Sequence, residues 1–243
     1  MKAIVLASGA GNRLRPLTDR LPKPLLEVAG RAIIDRLLDS LVAHGVDSAV
    51  ITTGPFAGEL ERHLRHHHRI DLTFVHNPRY EVTNNIYSLW LAREHAAAEA
   101  VVLHSDLVCA DSLLRRLLGA GGSRVPVNRT LPPPAKDFKA LVQADRVRRI
   151  AVDVGGPGAF FCAPAYRLGA ADLQVWLEAV EGFVRAGKTD VYAEDALNSV
   201  LDRVHLRPLY FEEFCLEVDT ADDLHEAERL LGTHRTSPGG GGI

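Results

Sequence analysis

Residues 6–26 read LASGAGNRLRPLTDRLPKPLL and concentrate the groups that could handle an anion. Gly9 and Gly11 lie two apart, directly after an apolar run. Without side chains there, backbone N–H groups can approach a phosphate closely. Arg13 and Arg15 follow, each offering a forked guanidinium to phosphate oxygens. Lys23 stands between Pro22 and Pro24, which restrict the backbone and hold its ammonium on a stiff segment. A solvated basic loop has no need of a glycine turn, an arginine pair and a proline-flanked lysine together. The stretch therefore reads as a phosphate-binding loop.

Two other phosphate loops are excluded by single features. The dinucleotide fingerprint needs a third small residue for close helix–strand packing, and Leu14 occupies that place. No G-K-[ST] follows, so the loop is not a Walker A motif. Hydride transfer loses its support, and the absence of G-x-S-x-G leaves a serine hydrolase without any.

Other polar groups are spread along the chain. VVLHSDL ends an apolar strand at Asp106, at the carboxyl edge where open α/β sheets place ligands, although such an acid can also cap the next helix. CLEVDTADDL supplies Glu217 and Asp219. In VTNNIYS one asparagine, Asn84 or Asn85, can cap a helix; Thr83, Ser88 and the second amide are then surplus and suited to reading a base or ribose edge. Glu194 and Asp195 suit the positive end of a helix dipole. Arg129, Lys136 and Lys139 cluster in VNRTLPPPAKDFKALV and suit an anionic acceptor. Phe160, Phe161, Tyr166, Trp176 and Tyr192 fit a core better than a cage around a quaternary ammonium.

The elements that must position these groups alternate. Residues 3–7, 49–53, 72–76 and 100–104 read as strands, and 33–44, 57–65, 85–97 and 112–118 as helices, with Gly45 ending the first. That alternation predicts an α/β fold, a mostly parallel Rossmann-like central sheet with helices on both faces. After Pro132, Pro133 and Pro134 the character changes. Residues 138–144 and 147–152 read as a hairpin around Asp145 and Arg146, and 158–162 as another strand. A small β-rich acceptor-side insertion over about 124–163 follows from this. Helices at 171–185, 194–201 and 221–231 and a strand at 205–211 complete one domain over 1–232, with a Gly-rich disordered tail at 233–243.

The whole-chain numbers exclude several classes. Of 243 residues 47% are hydrophobic, enough for a sizeable core. A net charge of -3 gives no global argument for nucleic acid or an anionic membrane as partner, and neither is expected. There is no apolar run of membrane-spanning length and no signal-peptide pattern. Cys109, Cys162 and Cys215 are far apart and read as free thiols, which points to the cytoplasm. The run of His63, His66, His67 and His68 lacks the further ligands of a metal site and reads as a basic helix end.

LASGAGNRLRPLTDRLPKPLLEVAG resembles the signature of sugar-nucleotidyltransferase-like enzymes, L-A-A-G-x-G-x-R-L followed by P-K-P-L-L, with Ser8 and Ala32 as departures that touch no charged group. The resemblance implies that Leu6, Ala7, Ser8, Gly9, Ala10, Gly11 and Asn12 hold a nucleoside triphosphate, with catalytic Arg13 and Lys23 neutralising its phosphates. The run from Asn84 to Leu89 is similar to the choline-phosphate and phosphonate cytidylyltransferase branch. That implies CTP as donor, with Thr83, Asn84, Asn85, Ser88 and Ser105 on the nucleotide. It also implies Mg²⁺ on Asp106 and Asp219, with Glu217 as a further ligand or orienting group, and Tyr192, Glu194 and Asp195 beside the acceptor.

The expected activity is CMP transfer from CTP to a small phosphonate such as phosphonoformate or 2-aminoethylphosphonate, with phosphocholine as the next acceptor. A sugar-1-phosphate enzyme using UTP or dTTP, and a non-catalytic nucleotide-binding module, are the alternatives. A homodimer is compatible with this reading.

Overall fold

Alternation along the first strand sets up the layers. In Lys2–Ala7 (β1), Ile4 and Leu6 point into one apolar cluster, while Ala3, Val5 and Ala7 point into a second on the opposite face. The computed structural model describes all residues except 66–68, 97, 133–134 and 236–243. The histidine run at 66–68 and most of the expected tail therefore lie outside the described residues. His63 is described, and its Nε2 lies 2.9 Å from Asp35 Oδ1.

In chain order the elements after β1 are β2 (Glu27–Val28), β3 (Arg31–Ala32), α1 (Ile33–Ala43), β4 (Ser48–Thr53), α2 (Ala57–Leu64), β5 (Asp71–His76) and α3 (Asn85–Ala92). Then come β6 (Ala100–His104), β7 (Leu107–Cys109), α4 (Asp111–Gly119), β8 (Arg124–Asn128), β9 (Lys139–Gln143), β10 (Arg146–Ala151), β11 (Ala159–Cys162) and β12 (Ala165–Leu168). The chain closes with α5 (Ala170–Arg185), α6 (Ala193–Asn198), β13 (Arg207–Phe211), β14 (Cys215–Glu217) and α7 (Ala221–Arg235).

The large sheet has the order β10-β9-β11-β8-β12-β6-β1-β4-β5, with β13 beside β8. Strands β6, β1, β4 and β5 are mutually parallel, as βαβ alternation requires. β12 enters antiparallel between β6 and β8, and β11 and β10 also run against the majority. Helices α3, α5 and α6 cover the face with Ile4, and α1, α2 and α4 cover the face with Val5. The expected α/β architecture is thus present, with the antiparallel strands gathered in the second half.

Local chemistry accounts for the boundaries. Ile33, Ile34, Leu37, Leu38 and Leu41 form the buried stripe of α1, and Gly45, at φ 85, follows its C-cap. α3 stops as an α-helix at Ala92 and tightens into a 3₁₀ turn at Arg93–His95, earlier than the expected end at 97. α7 continues through Arg235, past the expected end at 231.

β8 is one of the strands that sequence patterning hides, because Pro126 interrupts it. A proline fits there because β12 pairs β8 only at Arg124, whereas β11 pairs it at Val127 and Asn128. Pro126 sits between these two contacts, where the missing N–H breaks no ladder on that side. Among the described residues no helix is long and apolar enough to cross a membrane.

Candidate functional site

A cleft of about 360 Å³ opens at the carboxyl ends of β1 and β6. β1 delivers Leu6, Ala7, Ser8 and Gly9 to its wall, and the following turn delivers Gly11, Asn12 and Arg13. Gly11 has φ 65, and a Cβ on it would stand 3.0 Å from Thr18 Cγ2 and 3.3 Å from Lys23 Cβ. Glycine is needed here both for the left-handed turn and to let Lys23 approach. The turn is closed by Leu14 N and Thr18 Oγ1, which both donate to the Gly11 carbonyl at 2.9 Å.

A second glycine, which the sequence reading passed over, supports the same loop from behind. A Cβ at Gly54 would lie 2.1 Å from the Ser8 carbonyl oxygen. Gly54→Ala must push that backbone out of place, at a cost of about 1–3 kcal/mol. The expected result is a melting temperature lower by several degrees and weaker nucleotide binding, read by thermal denaturation and by titration.

Cation and acids meet on one side of the cleft. Lys23, only 9% exposed, donates from Nζ to Asp106 Oδ2 at 2.5 Å and to Asp219 Oδ1 at 2.6 Å. Arg13 reaches the same Asp219 Oδ1 at 2.9 Å. Burial works against the Lys23 charge, but the two carboxylates outweigh it and hold its pKa above the ordinary value. Asp106 is likewise held below its ordinary range, Lys23 and His104 overcoming the effect of burial.

The acids come together because β7 pairs with β14, Leu107 opposite Glu217, and Val218 N donates to the Asp106 carbonyl at 3.0 Å. Glu217 is pushed up to about 7, chiefly by burial, with the Asp106 and Asp137 carboxylates adding to it and His104 opposing. Asp106 Oδ1 and Glu217 Oε1 are both buried without a hydrogen-bond partner. Ligand atoms of His104, Asp106 and Glu217 lie within 4.8 Å of one another. Such a grouping, with one carboxylate oxygen left unpartnered on each acid, can serve a divalent cation.

His104 was not singled out from sequence. It ends β6, with Nε2 3.3 Å from Glu194 Oε1 and Nδ1 3.6 Å from Glu217 Oε2. Burial lowers its pKa, but the flanking carboxylates prevail and hold the ring well above its ordinary value. A polar residue closing an apolar strand two places before Asp106 was the available signal.

The structure gathers most of the expected site residues and redirects others. Leu6, Ala7, Ser8, Gly9, Gly11, Asn12, Thr83, Asn84, Asn85, Ser105, Lys136 and Tyr192 line the cleft with Arg13, Lys23, Asp106, Glu217 and Asp219. Asn77, Tyr80 and Phe138 join them without having been read from sequence.

Ala10 and Ser88 are not in the lining. Ser88 is fully buried, hydrogen-bonded to the Ser8 hydroxyl and accepting from Asn77 Nδ2 at 3.1 Å, so it fastens α3 to the loop rather than facing a ligand. Asn85 uses Oδ1 to accept from Ala193 N at 2.8 Å, which ties α3 to α6. Asn84 is the α3 cap, its Oδ1 accepting from Asn85 N at 2.7 Å.

Packing gives four of the residues expected beside the acceptor partners of their own. Arg129 lies over the Tyr210 ring, 3.9 Å from its centroid. Lys139 starts a buried strand and donates to the carbonyls of Ala135 and Asp137 at 2.9 and 3.0 Å. Glu194 is 1% exposed and accepts from the Tyr166 hydroxyl at 2.8 Å. Asp195 caps α6 by accepting from Tyr192 N at 2.9 Å. None of the four lines the cleft.

Residues 2–120 match the family model described as nucleotidyl transferase. That stretch belongs to the nucleotidyl transferase family. A CMP-5'-(3-aminopropyl)phosphonate synthase of Streptomyces rubellomurinus is 35% identical over 184 residues, 72% of this chain and 29% of that protein. A choline-phosphate cytidylyltransferase of Streptococcus pneumoniae is 35% identical over 102 residues, 42% of this chain and 43% of the relative. The matches thus span less than half the length of these relatives. The solved CTP:phosphocholine cytidylyltransferase from Streptococcus pneumoniae superposes with a TM-score of 0.82 at 24% identity, over 95% of this chain and 98% of that one. The nucleotidyl transferase stretch contains the glycine turn, Lys23 and Asp106, and the shared fold extends through the second half.

Proposed function

We propose that the chain is a cytidylyltransferase that moves CMP from CTP to a small phosphonate. The observation that carries the reading is the convergence of Lys23 and Arg13 on Asp106 and Asp219 at the mouth of the glycine turn. A phosphonate oxygen of the acceptor attacks the α-phosphorus of CTP; a new P–O bond forms, the bond to the β-phosphate bridging oxygen breaks, and pyrophosphate leaves. The acceptor oxygen is already ionised at neutral pH, so the protein's task is positioning and charge neutralisation.

In this reading Lys23 and Arg13 stabilise the negative charge on the triphosphate and departing pyrophosphate. Asp106, Asp219 and Glu217 would hold Mg²⁺, which neutralises phosphate charge when bound. The orphaned oxygens of Asp106 and Glu217 fit that oxygen-seeking ion. Without nucleotide, Lys23 and Arg13 satisfy the acids that the metal would share.

On the acceptor side Lys136 offers a cation and Phe138 meets Tyr192 edge-on, ring centroids 5.1 Å apart. Lys136 also pairs with Asp223, which holds the ammonium at the cleft edge. That pairing of cation and apolar wall suits a short phosphonate better than a quaternary ammonium, and the Streptomyces relative is named for a CMP-phosphonate product. Phosphocholine is the second reading, favoured by the Streptococcus pneumoniae relative.

Pyrophosphate release should be screened with each of the four NTPs against 2-aminoethylphosphonate, phosphonoformate, phosphocholine and hexose phosphates. CTP with a phosphonate is the expected productive pair. Turnover confined to UTP or dTTP with a hexose phosphate would replace the reading by a sugar-nucleotide one. CTP binding without turnover on any acceptor would indicate a regulatory module.

A further inference from the structure

We propose that Cys109 and Cys215 are a redox-active pair that closes to a disulfide on exposure to a hydroperoxide, stapling β7 to β14. The two residues face each other in the antiparallel ladder, Cys215 opposite Cys109. Ala110 N donates to the Phe214 carbonyl and Val218 N to the Asp106 carbonyl, both at 3.0 Å. Hydrogen-bonded pairs alternate along such a ladder, so these two bonds place Cys109 and Cys215 at a non-hydrogen-bonded position. Cα atoms at such positions are about 4.5 Å apart, inside the roughly 4.4–6.8 Å range of disulfides. Both side chains also leave the ladder on the same face.

The two thiols differ in access. Cys109 is half-buried and lines a second cleft of about 570 Å³ with Leu107, Leu114 and Phe214. Cys215 is buried behind it. Its burial suits the resolving role better than the first attack. Cys162 belongs to the apolar cluster on the other face of the large sheet, so it is not a competing partner.

The chemistry balances with a hydroperoxide as oxidant. The Cys109 sulfur attacks a peroxide oxygen, the O–O bond breaks, and a sulfenic acid and one water (or alcohol) form. The Cys215 sulfur then attacks the sulfenic sulfur, the S–O bond breaks, and a second water leaves with the remaining thiol proton. The two thiols lose two electrons and the peroxide gains them. The closed bond fixes the segments carrying Asp106, directly before β7, and Glu217, at the end of β14.

Folded protein is treated with hydrogen peroxide, blocked with iodoacetamide, digested without reductant and read by peptide mass spectrometry. A Cys109–Cys215 cross-linked peptide that disappears with dithiothreitol is expected. The link closes a loop of roughly 100 residues, so oxidised protein should melt about 5–10 °C higher than reduced protein. Cys109→Ser should abolish both the peptide and the shift, and Cys162→Ser should leave both intact. Over-oxidised Cys109 with Cys215 still a free thiol, or only links between separate chains, overturns the proposal. No nucleotide or acceptor enters these measurements, so failure of the cytidylyltransferase reading would be a separate result.

Discussion

Lys23→Ala is expected to lower kcat on the order of 10²–10³ with little change in KM for the acceptor. The ammonium sits 2.5 Å from Asp106 Oδ2 and 2.6 Å from Asp219 Oδ1, within reach of the place where pyrophosphate charge would develop. An interaction that strengthens as charge appears acts on turnover, whereas one made equally in the bound state acts on KM. The same substitution carries a stability signature. Removing Lys23 leaves two half-buried carboxylates facing each other, with Arg13 still holding Asp219 at 2.9 Å. Breaking such a half-buried pair should cost less than the roughly 3–5 kcal/mol of a fully buried one, which for a chain of this size corresponds to a melting point lower by several degrees.

Magnesium should restore more stability to Lys23→Ala than to the parent, because it would neutralise the acids that lost their lysine. The two readouts separate chemistry from folding. Circular dichroism that matches the parent, with turnover within tenfold of it, would remove Lys23 from any charge-stabilising role. Unchanged melting in divalent-free buffer would show that these acids are neutralised by another group.

The phosphate loop was legible because its chemistry is local. Gly9, Gly11, Arg13 and Lys23 lie within fifteen residues, and a turn plus two prolines suffices to bring them together. Periodicity was equally sufficient for β1, β4, β5 and β6, since each is flanked by a helix with a complete apolar stripe. β7 and β14 escaped because three residues give no period to read, and their pairing joins segments about 100 residues apart. Yet that ladder is what carries Glu217 to Asp106.

Strand geometry separates residues that composition groups together. Arg129, Lys136 and Lys139 looked equivalent as a basic cluster. Lys136 lies in a loop and reaches the cleft, whereas Lys139 begins β9 opposite Ala151 and Phe161 and turns into carbonyls. The glutamate of the pair Glu194 and Asp195 went the other way, inward. It is an inner link of a chain from Tyr166 through Glu194 and His104 to Glu217, which connects α6 to the acids of the cleft. Such a chain depends on four separate elements meeting, β12, α6, β6 and β14, and no single stretch of sequence contains it.

Asp106→Asn isolates the metal question, since the amide keeps the shape and removes the charge. The carboxylate has one oxygen on Lys23 and the other buried without a partner, so its orphan oxygen has no structural duty among the described residues. If that oxygen awaits Mg²⁺, turnover should fall on the order of 10³, and the melting shift produced by magnesium should vanish. In divalent-free buffer the cost should be small, because Lys23 keeps Asp219 at 2.6 Å and Glu217 loses one of the negative neighbours that raise it to about 7. The pattern is the inverse of Lys23→Ala: little loss of stability without metal, and no recovery with it. A magnesium melting shift equal to that of the parent would place the ion elsewhere, and a large loss of stability without metal would make Asp106 chiefly the partner of Lys23.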